Sequence, residues 1–184
     1  MILVGALAVG ALAFYSPDDE YPDVKEGDDP GEGGGDPRPA TTGERNALDK
    51  ARSYLSWMRF SEQGLYDQLE YDGFTEAEAR YGVANCGADW QEQADKAAKS
   101  YLASSHMGPA QLRYQLRDFE KFTAAQTEKA MQSLGDVDWQ YHADLRAEHY
   151  SGTFSQSKAA TYEDLVREGF TEDQARKAVD KAYE

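Results

Sequence analysis

The clearest pattern in the chain is a helical face that recurs about every 47 residues. In residues 47–55, two alanines, a tyrosine and a leucine occupy positions i, i+4, i+7 and i+8, which is one face of an α-helix. The same face returns in residues 94–102, and again in residues 143–150 without its leucine. Similarity at a fixed period predicts tandem copies of one helical unit, here three of them.

A second pattern, F-T-x-x-[EQ], follows each of these faces and begins at Phe74, Phe122 and Phe170. Threonine followed three residues later by Glu or Gln is a capping box, in which each side chain bonds an otherwise unpaired backbone N–H at the start of a helix. The predicted helix-capping residues are Thr75, Glu78, Thr123, Gln126, Thr171 and Gln174. Each copy should therefore contain a helix that ends before this motif and another that begins within it.

The residues before the motif differ between copies. Gly73 and Gly169 can end the preceding helix in the left-handed conformation. Copy two has Glu120 and Lys121 in this region, together with one inserted residue. We therefore expect a looser turn in copy two.

The predicted fold is all-α, with three tandem three-helix units of helix-turn-helix type. In copy one, helix A runs from about 44 to 58, helix B from a cap at Ser61 to about 72, and helix C from 75 to about 86. The predicted segments are an apolar signal or anchor (1–15), a disordered acidic linker (16–42), and repeats 43–88, 89–137 and 138–184.

A unit of this size buries little core alone, so neighbouring copies are expected to stack. Trp90 and Trp139 open the second and third copies and are the expected packing residues at the two junctions. The predicted repeat core consists of Tyr54, Leu55, Leu69, Phe74, Trp90, Tyr101, Leu102, Leu116, Phe122, Trp139, Tyr150, Leu165 and Phe170.

The N-terminal region predicts export. Residues 2–15 are apolar or small and uncharged, and at 1.5 Å per residue they span roughly 21 Å, which suits a signal-peptide core better than a membrane span. Residues 16–42 hold five of the six prolines and nine acidic residues, a composition that favours an extended, disordered linker. We expect an exported protein, secreted or anchored at the cell surface through this N-terminal segment only.

Charge and residue types narrow the function. The net charge of -15 repels nucleic acid and anionic lipid, and it favours either a basic partner or simply solubility. The single cysteine, Cys86, excludes an intramolecular disulfide and is expected to be a small buried residue. No nucleophile motif or phosphate loop is present, and His106, His142 and His149 lack the spacing of a zinc site. The sequence predicts a binding protein with no enzymatic activity, cofactor or metal.

The turn between helices B and C also permits a DNA-binding interpretation. A recognition helix presents Arg, Lys, Asn or Gln to base edges, with basic neighbours on the phosphates. Helix C of copy one instead begins with Glu76 and Glu78, and that of copy three with Glu172 and Asp173. We therefore rank DNA binding below protein binding.

The succession of motifs resembles a known family. It comprises A-x-x-x-A-x-x-Y-L (47–55), F-S-x-x-G-L-x-x-Q-L (60–69), D-G-F-T-x-x-x-A (72–79) and D-W-x-E-Q-A (89–94). Together these motifs resemble the Ltp-like host-cell-surface lipoproteins over residues 44–184, most strongly in copy one. The sequence departs from that family in having no cysteine after the apolar run, which is where the lipid would be attached.

The resemblance implies a role in defence against phage. Known members include prophage-encoded superinfection-exclusion proteins, which are tethered outside the host membrane and block DNA injection by related phages. Their helical repeats act as an acidic binding surface, and the implied target is the phage tape-measure protein. We therefore expect a surface-displayed protein that binds a basic phage protein; the alternative is a bacterial surface protein with a structural or adhesive role.

Overall fold

The computed structural model describes residues 39–184, in which every regular element is helical. The helices are α1 (Thr42–Trp57), α2 (Glu62–Tyr71), α3 (Glu76–Asn85), α4 (Trp90–Ser105), α5 (Pro109–Tyr114), α6 (Ala124–Ser133), α7 (Trp139–Gly152), α8 (Lys158–Arg167) and α9 (Glu172–Ala182), with a π-helical turn (Gln115–Phe119) directly after α5. The all-α fold with repeated helical units is thus confirmed.

The apolar segment and nearly all of the predicted linker lie outside the described residues. At the linker's end, Thr42 already belongs to α1, because Thr41 and Glu44 form a capping box. Residues 40–184 form one compact unit, so the boundaries between the copies stay a prediction. Among the residues that the structure describes, no helix is long and apolar enough to cross a membrane.

Each copy contains the three expected helices, A, B and C, namely α1–α3 in copy one, α4–α6 in copy two and α7–α9 in copy three. Helices A and C pack closely because small residues line their contact. The repeated alanines of helix A, such as Ala47 and Ala51, are fully buried. Opposite them, a Cβ on Gly82 would lie only 3.0 Å from the carbonyl oxygen of Ala47.

Every copy has its own small hydrophobic core. Buried residues in copy one include Leu65 and Leu69, and their counterparts in copy two are Leu112 and Leu116. Trp90 packs on the core of copy one, although it belongs to copy two. Trp139 packs on the cores of both copy two and copy three. The two tryptophans therefore lie at the junctions, where helices of different copies do not pack along one another.

The turn of copy two is not looser than the others, contrary to the expectation from its sequence. The backbone N–H of Phe122 bonds the carbonyl of Leu116 at 3.0 Å, and the matching bond of Phe74 is 3.1 Å long. The inserted residue is instead taken up inside the helix, as the π-helical turn. Lys121 adopts the left-handed φ of 62° that Gly73 and Gly169 supply elsewhere.

Candidate protein-binding surface

Each copy joins the end of helix B to helix A through a tyrosine and a carboxylate. Equivalent positions are Tyr54, Tyr101 and Tyr150 on helix A, and Asp72, Glu120 and Glu168 after helix B. In all three copies the tyrosine hydroxyl donates a hydrogen bond to the carboxylate. The copies are thus related by this polar contact as well as by their apolar pattern.

The hydroxyls of these tyrosines stay protonated at neutral pH and so act as hydrogen-bond donors. Burial, followed by the hydrogen bond to Asp72, raises the pKa of Tyr54 to about 12. Burial and the bond to Glu168 likewise raise the pKa of Tyr150 to about 12, and the pKa of Tyr101 is raised for the same reasons. Because they stay protonated, the hydroxyls hold the carboxylates in place rather than taking part in proton transfer.

Copy three adds a cation to this cluster. The Arg146 guanidinium forms an ion pair with Glu168 at 2.6 Å and lies 4.8 Å from the centre of the Tyr150 ring. Both partners are largely buried, and Arg146 also donates to the carbonyl of Ser105 in copy two. This cluster therefore stabilises copy three and its junction with copy two.

A pair of histidines lies at the same junction. His106 ends α4 in the left-handed conformation, and its Nδ1 lies 3.1 Å from Nδ1 of His142. One nitrogen must donate and the other accept, so the pair cannot be doubly protonated without repulsion. Burial, and then the nearby His106, lowers the pKa of His142, while Asp138 opposes this shift. Among the described residues no three His, Cys, Asp or Glu side chains are grouped to hold a metal ion.

The predicted capping residues lie where the capping boxes form. The hydroxyls of Thr75, Thr123 and Thr171 accept from the third residue of the helix that follows, and the side chain of that residue accepts from the threonine N–H. The three threonines are exposed, their Glu and Gln partners are half-buried, and each copy holds one such pair. They position helix C and form no common site.

The predicted core residues divide into two groups. Leu69, Leu102, Leu116, Phe122, Leu165 and Phe170 are buried. Tyr54, Leu55, Phe74, Trp90, Tyr101, Trp139 and Tyr150 are only half-buried. The repeated alanines of helix A are fully buried, more deeply than any of these aromatic rings. Their recurrence at i and i+4 on helix A is the signal that identifies them.

The described helices carry an excess of negative charge. Residues 43–184 contain 25 acidic against 17 basic side chains, a net charge of -8. Ion pairs engage most of the basic side chains in this range, for example Arg80 with Glu76 and Lys177 with Asp173. Acids that make no ion pair or side-chain hydrogen bond among the described residues are Asp49, Glu62, Asp136, Glu148, Glu163, Glu172 and Glu184.

Large apolar side chains are exposed on the same helices. Trp57, Tyr71, Tyr114, Phe119, Tyr141 and Phe154 each present more than half of their surface to solvent. None of these side chains stood out from the sequence, because aromatic residues at helical spacing normally belong to a core. The same helices thus present both exposed rings and unpaired carboxylates, and these two features suit a basic, partly apolar protein partner.

Comparison with known proteins supplies the family. The sequence profile described as host cell surface-exposed lipoprotein matches residues 43–86 and 89–134, which lie in copies one and two. The solved structure of Ltp, a superinfection exclusion protein from the Streptococcus thermophilus temperate phage TP-J34, is 31% identical over 54% of this chain and 100% of that chain, with a TM-score of 0.49. This chain belongs to the family of host cell surface-exposed lipoproteins.

A second comparison shows a shared fold alone. The crystal structure of RecX from Lactobacillus salivarius superposes on 77% of this chain and over 97% of the RecX chain, at 15% identity and a TM-score of 0.56. No curated protein matches the chain. The family description gives a location at the host cell surface and names no reaction.

Proposed function

We propose that this protein excludes superinfecting phage by binding a basic phage protein outside the host membrane. The similar Ltp protein is described as a superinfection exclusion protein. The resemblance implies the tape-measure protein as the partner. The observation that carries the proposal is that the described helices present both unpaired acids and exposed aromatic rings.

The mechanism is capture by charge followed by contact with the rings. A net charge of -8 on the array attracts a basic segment over about one Debye length, roughly 8–10 Å at physiological salt. Exposed rings such as Tyr71 and Phe119 then supply apolar contact and accept cations on their faces. A phage protein held in this way outside the membrane could not complete the delivery of DNA.

We propose binding rather than catalysis because the polar clusters have structural partners. The tyrosine–carboxylate pairs join helices A and B, and Arg146 neutralises Glu168. Cys86 is half-buried, and burial raises the pKa of its thiol, which disfavours a reactive thiolate at neutral pH.

Display at the surface would rely on the N-terminal residues. The family description supports a surface location. We propose that the apolar segment 1–15 directs export or anchors the chain, and that the acidic residues 16–42 keep the helical array away from the membrane.

The proposal is tested by expressing the full chain in a susceptible host and following adsorption and genome entry separately. Adsorption should be unchanged and genome entry should fall. A variant with Glu62→Lys, Asp136→Lys and Glu163→Lys, which alters three unpaired acids, should restore entry. A matched control with Asp18→Lys, Asp19→Lys and Glu20→Lys makes the same change of charge in the linker and should still exclude phage. Normal genome entry into cells that display the wild-type protein would rule out the role.

Two alternatives predict different outcomes. A structural or adhesive surface protein would leave genome entry unchanged while altering attachment between cells. A DNA-binding protein is disfavoured by the acidic first turns of α3 and α9, where a recognition helix would approach the duplex.

A further inference from the structure

The junctions between copies repeat one contact. At the junction of copies two and three, the backbone N–H groups of Ala110 and Gln111 donate to the carbonyl of Glu168 at 2.8 and 3.1 Å. At the junction of copies one and two, the Ser61 hydroxyl donates to the carbonyl of Glu120. In both cases the start of helix B in one copy covers the residue that ends helix B in the following copy. The positive end of one helix thus meets the negative end of another.

Small residues allow this close approach. A Cβ on Gly108 would lie 2.5 Å from the Glu168 carbonyl oxygen, and a Cβ on Gly169 would lie 2.7 Å from the backbone nitrogen of Ala110. At the junction of copies one and two, a Cβ on Gly64 would lie 3.4 Å from the Glu120 carbonyl oxygen. The surface that ends helix B is therefore shaped to receive a helix N-terminus with a small residue at its cap.

The equivalent surface of copy one is uncovered. Asp72 corresponds to Glu120 and Glu168, yet no described residue donates to its backbone carbonyl. A Cβ on Gly73, the counterpart of Gly169, would meet nothing within 4 Å. Tyr71 is 80% exposed, whereas its counterpart Phe119 at the covered junction is 51% exposed. We call the surface formed by Tyr71, Asp72 and Gly73 the open end of copy one.

The charge at the open end is suited to the positive end of a helix. Glu70 and Asp72 lie at the C-terminus of α2, and no basic residue occupies its last turn. Helix B of the other two copies carries Arg117 and Arg167 in the corresponding turn. Asp72 already pairs with Lys50 of α1 at 3.7 Å, whereas Glu70 makes no ion pair among the described residues. A carboxylate beside unpaired carbonyls destabilises a helix end unless a positive group covers it, so Glu70 is the residue that favours such a group here.

We infer that the open end of copy one is a docking site for the N-terminal turn of a helix in a partner protein, with a small residue at the helix cap. The inference rests on the proposed protein-binding function and names the surface and the structural element that meet. A second copy of this chain fits less well. In such a dimer, copy three of one chain would lie against copy one of the other. Gly43 is the residue of copy one that corresponds to Trp139, so the apolar contact that Trp139 makes with copy two would have no counterpart.

The test uses a peptide of residues 105–120, which contains the helix start that covers Glu168. Added to the 15N-labelled full chain, it should cause saturable shifts of the amide signals of Gly73 and Phe74. The same peptide with Gly108→Val should cause none, because its side chain would collide with the carbonyl.

Protein variants supply the matched comparison. Glu70→Lys should weaken peptide binding by about threefold or more, because it places a positive charge at the negative end of α2. Asp118→Lys, the equivalent change in copy two, should leave binding unchanged. The melting temperature of Glu70→Lys should equal or exceed that of the wild type, which separates lost binding from lost folding.

Absent shifts at Gly73 and Phe74, or equal binding of the Gly108→Val peptide, would overturn the inference. Head-to-tail association of the wild-type chain in sedimentation, abolished by Glu70→Lys, would also overturn it, because the occupant would then be a second copy. Peptide binding does not depend on phage. Binding at the open end together with unhindered genome entry would remove the proposed function and leave this docking site intact.

Discussion

At the scale of single residues, Glu168 holds two parts of the molecule together. Its carboxylate accepts from Arg146 and Tyr150 within copy three, while its backbone carbonyl accepts from the first turn of α5 in copy two. The side chain is almost fully buried. A buried carboxylate is tolerated only with such partners, so the three side chains form one unit.

Replacing Glu168 with Ala should therefore be costly. The change leaves the Arg146 guanidinium buried without its partner, and we expect a loss of about 3 kcal/mol in the free energy of unfolding. Asp72→Ala removes the equivalent side chain of copy one, which is more exposed and faces a half-exposed lysine, and should cost about 1 kcal/mol or less. Urea denaturation of the two variants gives the comparison. Equal losses would show that the buried ion pair of copy three contributes no more stability than the exposed one of copy one.

The histidine pair should make stability depend on pH. His142 faces His106 across the junction and Asp138 on its own segment, and its pKa is lowered in the folded state. As the pH falls from about 7.5 through the unfolded pKa of about 6.5, the unfolded chain takes up a proton before the folded one does. The wild-type protein should therefore lose stability over this range.

His142→Gln is the natural test of this prediction, since Gln93 occupies the equivalent position in copy two. The variant should show a smaller change in unfolding midpoint between about pH 7.5 and pH 5.5 than the wild type. Thermal unfolding at a series of pH values measures it. An identical slope for both proteins would show that the pair does not couple to folding.

Single residues also mark the limit of sequence analysis. The capping threonines are predictable because a capping box is a local pattern of four residues. The contact between His106 and His142 is not, because it joins positions 36 residues apart through the geometry of a junction. The exposure of Trp57 or Tyr71 is equally hidden, since a helical pattern indicates which residues share a face and not whether that face is covered.

At the scale of elements, the π-helical turn shows how a repeat absorbs an insertion. Copy two holds one residue more than copy one between Leu116 and Phe122, and the added residue widens the end of helix B without opening the turn. π-helical geometry occurs mostly as a single turn within an α-helix, which suits the insertion of one residue. The sequence reveals the insertion but not which element accommodates it, and this is why the expected looser turn is wrong.

Deletion of Arg117 tests whether the inserted residue alone produces the π-helical turn. The shortened helix B would match copy one residue for residue, so we expect an ordinary α-helix and a change in unfolding free energy within about 1 kcal/mol. Copy one has no inserted residue, so deletion of Glu70 shifts Tyr71 and Asp72 out of register. This deletion should lower the free energy of unfolding several times more. Chemical denaturation compares the two. Equal destabilisation would mean that the inserted residue has a role of its own.

At the scale of the whole molecule, the period of the sequence is enough to predict the helices and their order. The sequence also predicts the tryptophans at the junctions, because Trp90 and Trp139 recur at the start of a helix A. The open end of copy one is not predictable from pattern alone, since it depends on which repeated contacts have a partner. The unpaired acids are likewise identified only when the ion pairs of the folded chain are known.

The proposed exclusion depends on binding of a basic phage protein by the negative surface. It is tested most directly by measuring the affinity of the purified full chain for the purified tape-measure protein of an excluded phage at low and high salt. We predict an association at about 50 mM salt that weakens by tenfold or more at about 300 mM, because screening shortens the reach of the charges. No association at low salt, or an affinity that does not change with salt, would show that the negative surface does not capture such a protein.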